Sequence, residues 1–116
     1  MHELSIAENI VEIIHQYVPA GERERVRRVF TSIGEQSGVV ADSLEFSFQA
    51  ITAKTELERS HLEIETVPFI VRCNKCGIES RTEMGSRQCP ACSSLDTHVM
   101  SGTDLRVREI EMEDEQ

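Results

Sequence analysis

The chain has 116 residues, 39% hydrophobic and 28% charged, and its 21 acidic against 12 basic side chains leave a formal charge of -9. That length suits one compact domain with a small appendage, and a lobe well under about 70 residues needs a staple, which four cysteines can supply. The acidic balance excludes affinity for nucleic acid gained by clustered Lys and Arg releasing phosphate counterions, and no apolar run approaches the roughly 18 residues of a membrane span.

Residues 4–18 set Leu4, Ala7, Ile10, Val11, Ile14, Tyr17 and Val18 at helical spacing on one face, with Glu8, Glu12 and Gln16 opposite. Pro19, Ala20 and Gly21 stop that helix. A strand is expected from Arg25 to Ile33, with Val29, Thr31 and Ile33 on one face and Phe30 and Ser32 on the other, ending at Gly34. Val39 to Thr55 is longer than most strands and repeats Val40, Leu44, Phe48 and Ile51 as a helix does, with Asp42 or Ser43 able to cap its start. A second strand runs through Leu62, Ile64, Val67, Phe69 and Val71, its apolar phase slipping near Thr66 and Pro68. A third runs from Asp104 to Met112, its inward set changing from Leu105 and Val107 to Ile110 and Met112. The acidic end from Glu109 to Gln116 favours solubility, and His15 and His61 are expected at the surface.

Cys73 to Met100 contains no aromatic residue and few large apolar ones, so hydrophobic burial alone cannot fold it. Within it, Cys73-Asn74-Lys75-Cys76-Gly77 and Cys89-Pro90-Ala91-Cys92 form two CxxC pairs twelve residues apart. Two residues between thiolates let a tight turn aim both sulfurs at one point, with Gly77 free to take a positive φ, and two such knuckles complete a tetrahedron. A closed four-thiolate site leaves no position for water or substrate, so zinc there is structural and supplies folding free energy. The competing readings are a redox dithiol, a rubredoxin-like iron site and a zinc-containing interaction module. Rubredoxin knuckles usually sit among aromatic side chains, which this segment lacks.

His2 is a second candidate. The free α-amine of Met1, the His2 backbone nitrogen and the His2 imidazole form adjoining chelate rings, and nickel(II) favours such square-planar nitrogen ligation. An α-amine ordinarily titrates at about 7.7 to 8.0, so this binding releases protons and weakens as pH falls. The fourth donor is open among Glu3, Asp42 and His98. The plain alternatives are a dipole-favoured carboxylate for Glu3, a helix cap for Asp42, and solvent-facing side chains for His2 and His98. No nucleophile triad, glycine-rich phosphate loop or HExxH pair appears, so no enzyme activity is expected. The opening Met1-His2-Glu3-Leu4 lacks the order of a signal peptide, and the expected location is the cytoplasm, where CxxC pairs serve as metal ligands more readily than as disulfides.

Met1-His2-Glu3-Leu4-Ser5-Ile6, Ile33-Gly34-Glu35, the two CxxC pairs and Leu105-Arg106-Val107-Arg108-Glu109-Ile110-Glu111, in this order, resemble the HypA/HybF family of hydrogenase nickel-incorporation proteins over nearly the whole chain. The resemblance implies an α+β fold, two helices packed on a three-stranded antiparallel sheet with an inserted zinc-ribbon domain. The expected division is 1–71 plus 101–116 for the nickel-binding domain and 72–100 for the ribbon. It implies a metallochaperone that takes Ni(II) as transient cargo at His2, assisted by the Met1 amine and Glu3, and holds structural Zn(II) at Cys73, Cys76, Cys89 and Cys92. Implied partners are a nickel-binding GTPase of the maturation pathway, the [NiFe] hydrogenase large-subunit precursor and, in some organisms, urease maturation proteins. No nucleic acid or membrane partner is expected, and a homodimer is open. Ser93 stands where related chains often carry Gly after the final cysteine.

Overall fold

The computed structural model describes residues 3–114; Met1 and His2, and with them the amino-terminal nickel expectation, lie outside the described residues. Helix α1 spans Glu3–Tyr17, a 3-10 turn Ala20–Arg25, strand β1 Val26–Gly34 and helix α2 Ala41–Thr52. They are followed by β2 (His61–Val67), β3 (Ile70–Cys73), β4 (Glu79–Arg81), β5 (Thr97–Ser101) and β6 (Leu105–Met112). The strands form two three-stranded sheets of order β2-β1-β6 and β4-β3-β5. This is the expected mixed α+β class. The chain divides into two compact units, one of Met1–Ser32, Val39–Glu65 and Arg106–Gln116, the other of Ile33–Gly38 and Thr66–Leu105.

In the first unit α1 packs against α2. The face that α1 buries is Ile6, Ala7, Ile10 and Ile14, rotated slightly from the expected stripe. Leu4 and Tyr17, at the two ends of the helix, remain exposed, and Val11 is half-buried. Ala7 is fully buried in this face. Helix α2 contributes Leu44, Phe48 and Thr52, each one turn apart. The end of α1 is closed from outside the helix: Arg23 donates to the Val18 carbonyl at 3.0 Å and the His15 carbonyl at 3.1 Å, and pairs with Glu56 at 3.2 Å. Carbonyls left without an intrahelical partner are thereby satisfied by a cation at the negative end of the helix.

Two expectations are corrected in these elements. Neither Asp42 nor Ser43 caps α2; the cap position is Val40, which has no capping side chain. The Glu3 carboxylate instead accepts the Val40 N–H at 3.4 Å. Asp42 lies one residue inside the helix, in the first turn, where its charge suits the helix dipole. The single strand expected from Leu62 to Val71 is two strands, β2 and β3, in different sheets. Pro68 stands between them and cannot donate to a ladder, so the slip in apolar phase marks a change of sheet.

The second unit buries Ile33, Phe69, Val71, Cys73 and Cys89. Strand β3 pairs antiparallel with both β4 and β5, with Val71 opposite Ser80 on one side and Val99 on the other. Gly34 and Gly102 let two stretches of backbone touch. A Cβ on Gly34 would lie 2.2 Å from the Gly102 carbonyl carbon, and one on Gly102, whose φ is +99°, would lie 2.4 Å from the Phe69 Cα. Around this contact Gly34 N–H donates to the Asp104 carbonyl, Glu35 N–H to Val67 and Gln36 N–H to Gly102.

Candidate metal centre

Cys73 ends β3, and the chain turns at once so that Gly77 N–H donates to the Cys73 carbonyl and Cys73 N–H to the Ile78 carbonyl. Gly77 takes φ of 76°, the left-handed conformation that the spacing required. The Lys75 and Cys76 N–H groups both point at the Cys73 sulfur, 3.4 Å away. The second knuckle repeats the pattern: Ser93 N–H donates to the Cys89 carbonyl and Cys89 N–H to the Ser94 carbonyl. Here the left-handed residue is Ser93, at φ of 64°.

These turns bring the four sulfurs within 4.8 Å of one another. Cys73 and Cys92 lie 3.6 Å apart, as do Cys76 and Cys89. Zn–S bonds of about 2.3 Å in a tetrahedron place sulfurs about 3.8 Å apart, so the donor set fits a four-coordinate thiophilic ion. Cys73 and Cys89 are buried while Cys76 and Cys92 are exposed, and all four are free thiols.

The electrostatics of the knuckles are uneven. The Cys76 N–H, with that of Lys75, stabilises the Cys73 thiolate and holds its pKa down to about 6, against an opposing contribution from burial. The Cys92 and Ala91 N–H groups lower Cys89 in the same way. For Cys92 the Ser94 N–H acts downward, but the Cys73 sulfur and burial outweigh it and push the thiol up to about 11. Cys76 is also raised: the Ile78 N–H lowers it, and burial with the Cys89 sulfur overcomes that. Each knuckle thus has one sulfur whose thiolate the backbone N–H groups favour and one whose thiol is favoured instead.

Spacing did not reveal the hydrogen-bonded chain beside the first knuckle. Asn74 Nδ2 donates to Asp96 at 3.0 Å, and Asn74 Oδ1 meets His98 Nδ1 at 2.9 Å. With the Asn74 amide nitrogen facing the carboxylate, its oxygen is the acceptor for an Nδ1–H of His98. Asn74 inside the CxxC pair was the one available signal, and Asp96 carried none. The other candidates are dispersed among elements: Glu3 at the start of α1, Asp42 in the first turn of α2, and His98 on β5. His15 and His61 are exposed as expected. Among the described residues, no helix is long and apolar enough to cross a membrane.

A family model described as hydrogenase/urease nickel incorporation, metallochaperone, hypA matches residues 1–112. The chain belongs to the HypA family. Two curated relatives are hydrogenase maturation factor HypA of Geotalea uraniireducens, 44% identical, and of Geobacter metallireducens, 45% identical. Each alignment covers 97% of this chain and the whole of the relative. The solution structure of the Ni metallochaperone HypA from Helicobacter pylori shares the fold at a TM-score of 0.68 and 20% identity, covering 99% of this chain and 100% of that one. HypA membership carries the family role, nickel incorporation into hydrogenase or urease, and ties the chain to hydrogenase maturation.

Proposed function

We propose that this chain takes Ni(II) through the Met1 α-amine and the backbone nitrogen and imidazole of His2, and delivers it to the [NiFe] hydrogenase large-subunit precursor. The observation that carries this reading is the family match, which spans residues 1–112 and so takes in the Met1-His2-Glu3 opening. Cys73, Cys76, Cys89 and Cys92 hold zinc as a structural ion. Bound there, zinc closes two knuckles into one rigid unit and contributes folding free energy on the order of 10 kcal/mol. The donor chemistry separates the two metals: four thiolates suit zinc, whereas amine, amide and imidazole nitrogens in a plane suit nickel.

Transfer proceeds by ligand exchange. A planar complex on a chain terminus is open along its axis, so incoming donors displace its ligands one at a time. A nickel-binding GTPase and the hydrogenase precursor are the proposed exchange partners in the cytoplasm, with urease maturation proteins as further recipients. Glu3, Asp42 and His98 are the candidates for the remaining donor. Of these, Glu3 accepts the Val40 N–H through one carboxylate oxygen, and His98 meets Asn74 through Nδ1.

The test is a nickel titration of untagged, zinc-loaded protein beside a sample carrying one extra amino-terminal residue, followed by absorption across pH. Stoichiometric binding by the native terminus alone, with a square-planar spectrum that fades on acidification, supports the reading; equal binding by both sinks it. His2→Ala is expected to lose tight nickel binding with zinc content and fold unchanged. Glu3→Gln, Asp42→Asn and His98→Ala, titrated in parallel, identify the fourth donor by which one changes the spectrum.

A further inference from the structure

Strand β3 ends at Cys73, opposite Thr97 of β5, and the pairing continues one residue beyond it. There the Asn74 N–H donates to the Asp96 carbonyl at 2.9 Å, and the Asn74 side chain donates to the Asp96 carboxylate at 3.0 Å. Side chains alternate along paired strands, so Asn74, Asp96 and His98 share the face away from the buried Cys73. On that face His98 Nδ1 meets the Asn74 oxygen at 2.9 Å, which holds the amide nitrogen toward Asp96. Asn74 lies between the two cysteines of the first knuckle, yet all three of these bonds run to residues after the second.

Asp96 in turn is fixed to the second knuckle. Its N–H donates to the Ser94 hydroxyl at 3.0 Å, and the Ser94 carbonyl accepts from the Cys89 N–H. The next residue, Thr97, donates from its hydroxyl to the Arg87 carbonyl. By contrast, the bonds that the first knuckle makes through Lys75, Cys76 and Gly77 all return to Cys73 and hold only its own turn. Pro90 and Ala91, enclosed by the second pair, have no side-chain donor or acceptor with which to reach across.

We propose that Asn74 and Asp96 are positioning residues for zinc, clamping the first knuckle to the second so that a sulfur that lets go of the ion stays close enough to rebind. The inference rests on zinc being held at Cys73, Cys76, Cys89 and Cys92. A competing ligand removes the ion one sulfur at a time and reaches the exposed Cys76 and Cys92 first. Cys76 follows Asn74 by two residues, so its freedom to swing away depends on whether Asn74 is fixed. A tethered ligand rebinds at a high effective concentration, which a looser tether lowers. Hydrogen-bonding partners outside the ligand set typically change metal affinity by about 10–100-fold. Asn74 and Asp96 are exposed, which places the expected effect at the low end of that range, in the rate of zinc release.

The experiment is zinc release from nickel-free, zinc-loaded full-length protein into excess chromogenic chelator, with amide exchange over residues 70–101 reporting the loaded fold. Asn74→Ala and Asp96→Ala should each speed release about tenfold, and the double alanine variant no more than either alone, because both remove the same link. Asn74→Asp sets two carboxylates face to face and should release faster still. Adding Asp96→Asn to it again sets a donor against an acceptor and keeps the acceptor for His98, so release should return to within about threefold of wild type. A residue that only supports the fold would not be rescued by exchanging the two side chains. If a single variant loses protection even when loaded, the exchanged pair decides: release at the wild-type rate supports the link, and rapid release overturns it. Release unchanged in both alanine variants, or an exchanged pair as fast as Asn74→Asp, would also overturn the proposal. A wild type that takes up no zinc would instead overturn the zinc assignment, and this inference with it.

Discussion

Ser93 follows the fourth cysteine with φ of 64°, a conformation that costs an L-residue roughly 1–2 kcal/mol and glycine little. The bond made by Ser93 at this turn uses its backbone N–H, and its carbonyl accepts from Gln88, so the side chain is not needed for either. Ser93→Gly should stabilise the zinc-loaded second unit by about 0.5–1 kcal/mol after allowing for the extra backbone entropy of glycine. Thermal unfolding of zinc-loaded protein tests this, and a lowered midpoint would refute it. The cysteines yield a pH prediction whose sign follows from which form binds. Zinc takes thiolates, so protons compete with it; Cys73 sits at about 6 and Cys92 at about 11. At about pH 7.5 binding already expels the Cys92 proton, while Cys73 is deprotonated beforehand. Below about pH 6 Cys73 must also lose a proton, so affinity should fall more steeply there, by a further factor approaching ten per pH unit. Competition with a chelator of known pH dependence reads that change of slope.

At the level of elements, stability rests on a few non-local contacts. Phe48 on α2 is fully buried, and Phe48→Ala should cost about 3–5 kcal/mol, measured by urea unfolding. Arg23→Ala should cost about 1–3 kcal/mol, because the carbonyls of His15 and Val18 lose a charged donor at the end of α1. The same distinction between local and non-local explains what was legible beforehand. Both helices could be found because the apolar repeat of each is written in adjacent turns, and the CxxC knuckles because four residues contain the whole turn. The cap of α2 could not, since its acceptor, Glu3, lies 37 residues away. Nor could the division of β2 from β3: a bulge and a change of sheet leave the same slip around Thr66 and Pro68, and the choice between them depends on which strands arrive later. Asp96 was invisible for the same reason, being linked to Asn74 only through the fold. The slip in β6, by contrast, was visible because the apolar residues on both sides of it lie within one strand.

At the scale of the whole chain, the second unit depends on a small apolar core, two knuckles and the close approach of Gly34 to Gly102. Removing zinc with a strong chelator should abolish amide protection over residues 70–101 while the helical circular dichroism of α1 and α2 remains, and returning zinc should restore it. Retained protection in the metal-free state would show that the knuckles fold without metal. Sheet order also has a temporal consequence. Synthesis runs from the amino terminus, so β1 and β2 can pair early, whereas the other flank of β1 waits for the last strand of the chain. The second unit waits as well, because Gly102 and Asp104, whose backbones meet Gly34, are made only just before β6. A chain cut after Ser101 would therefore leave both units incomplete, the first without β6 and the second without the Gly102 contact.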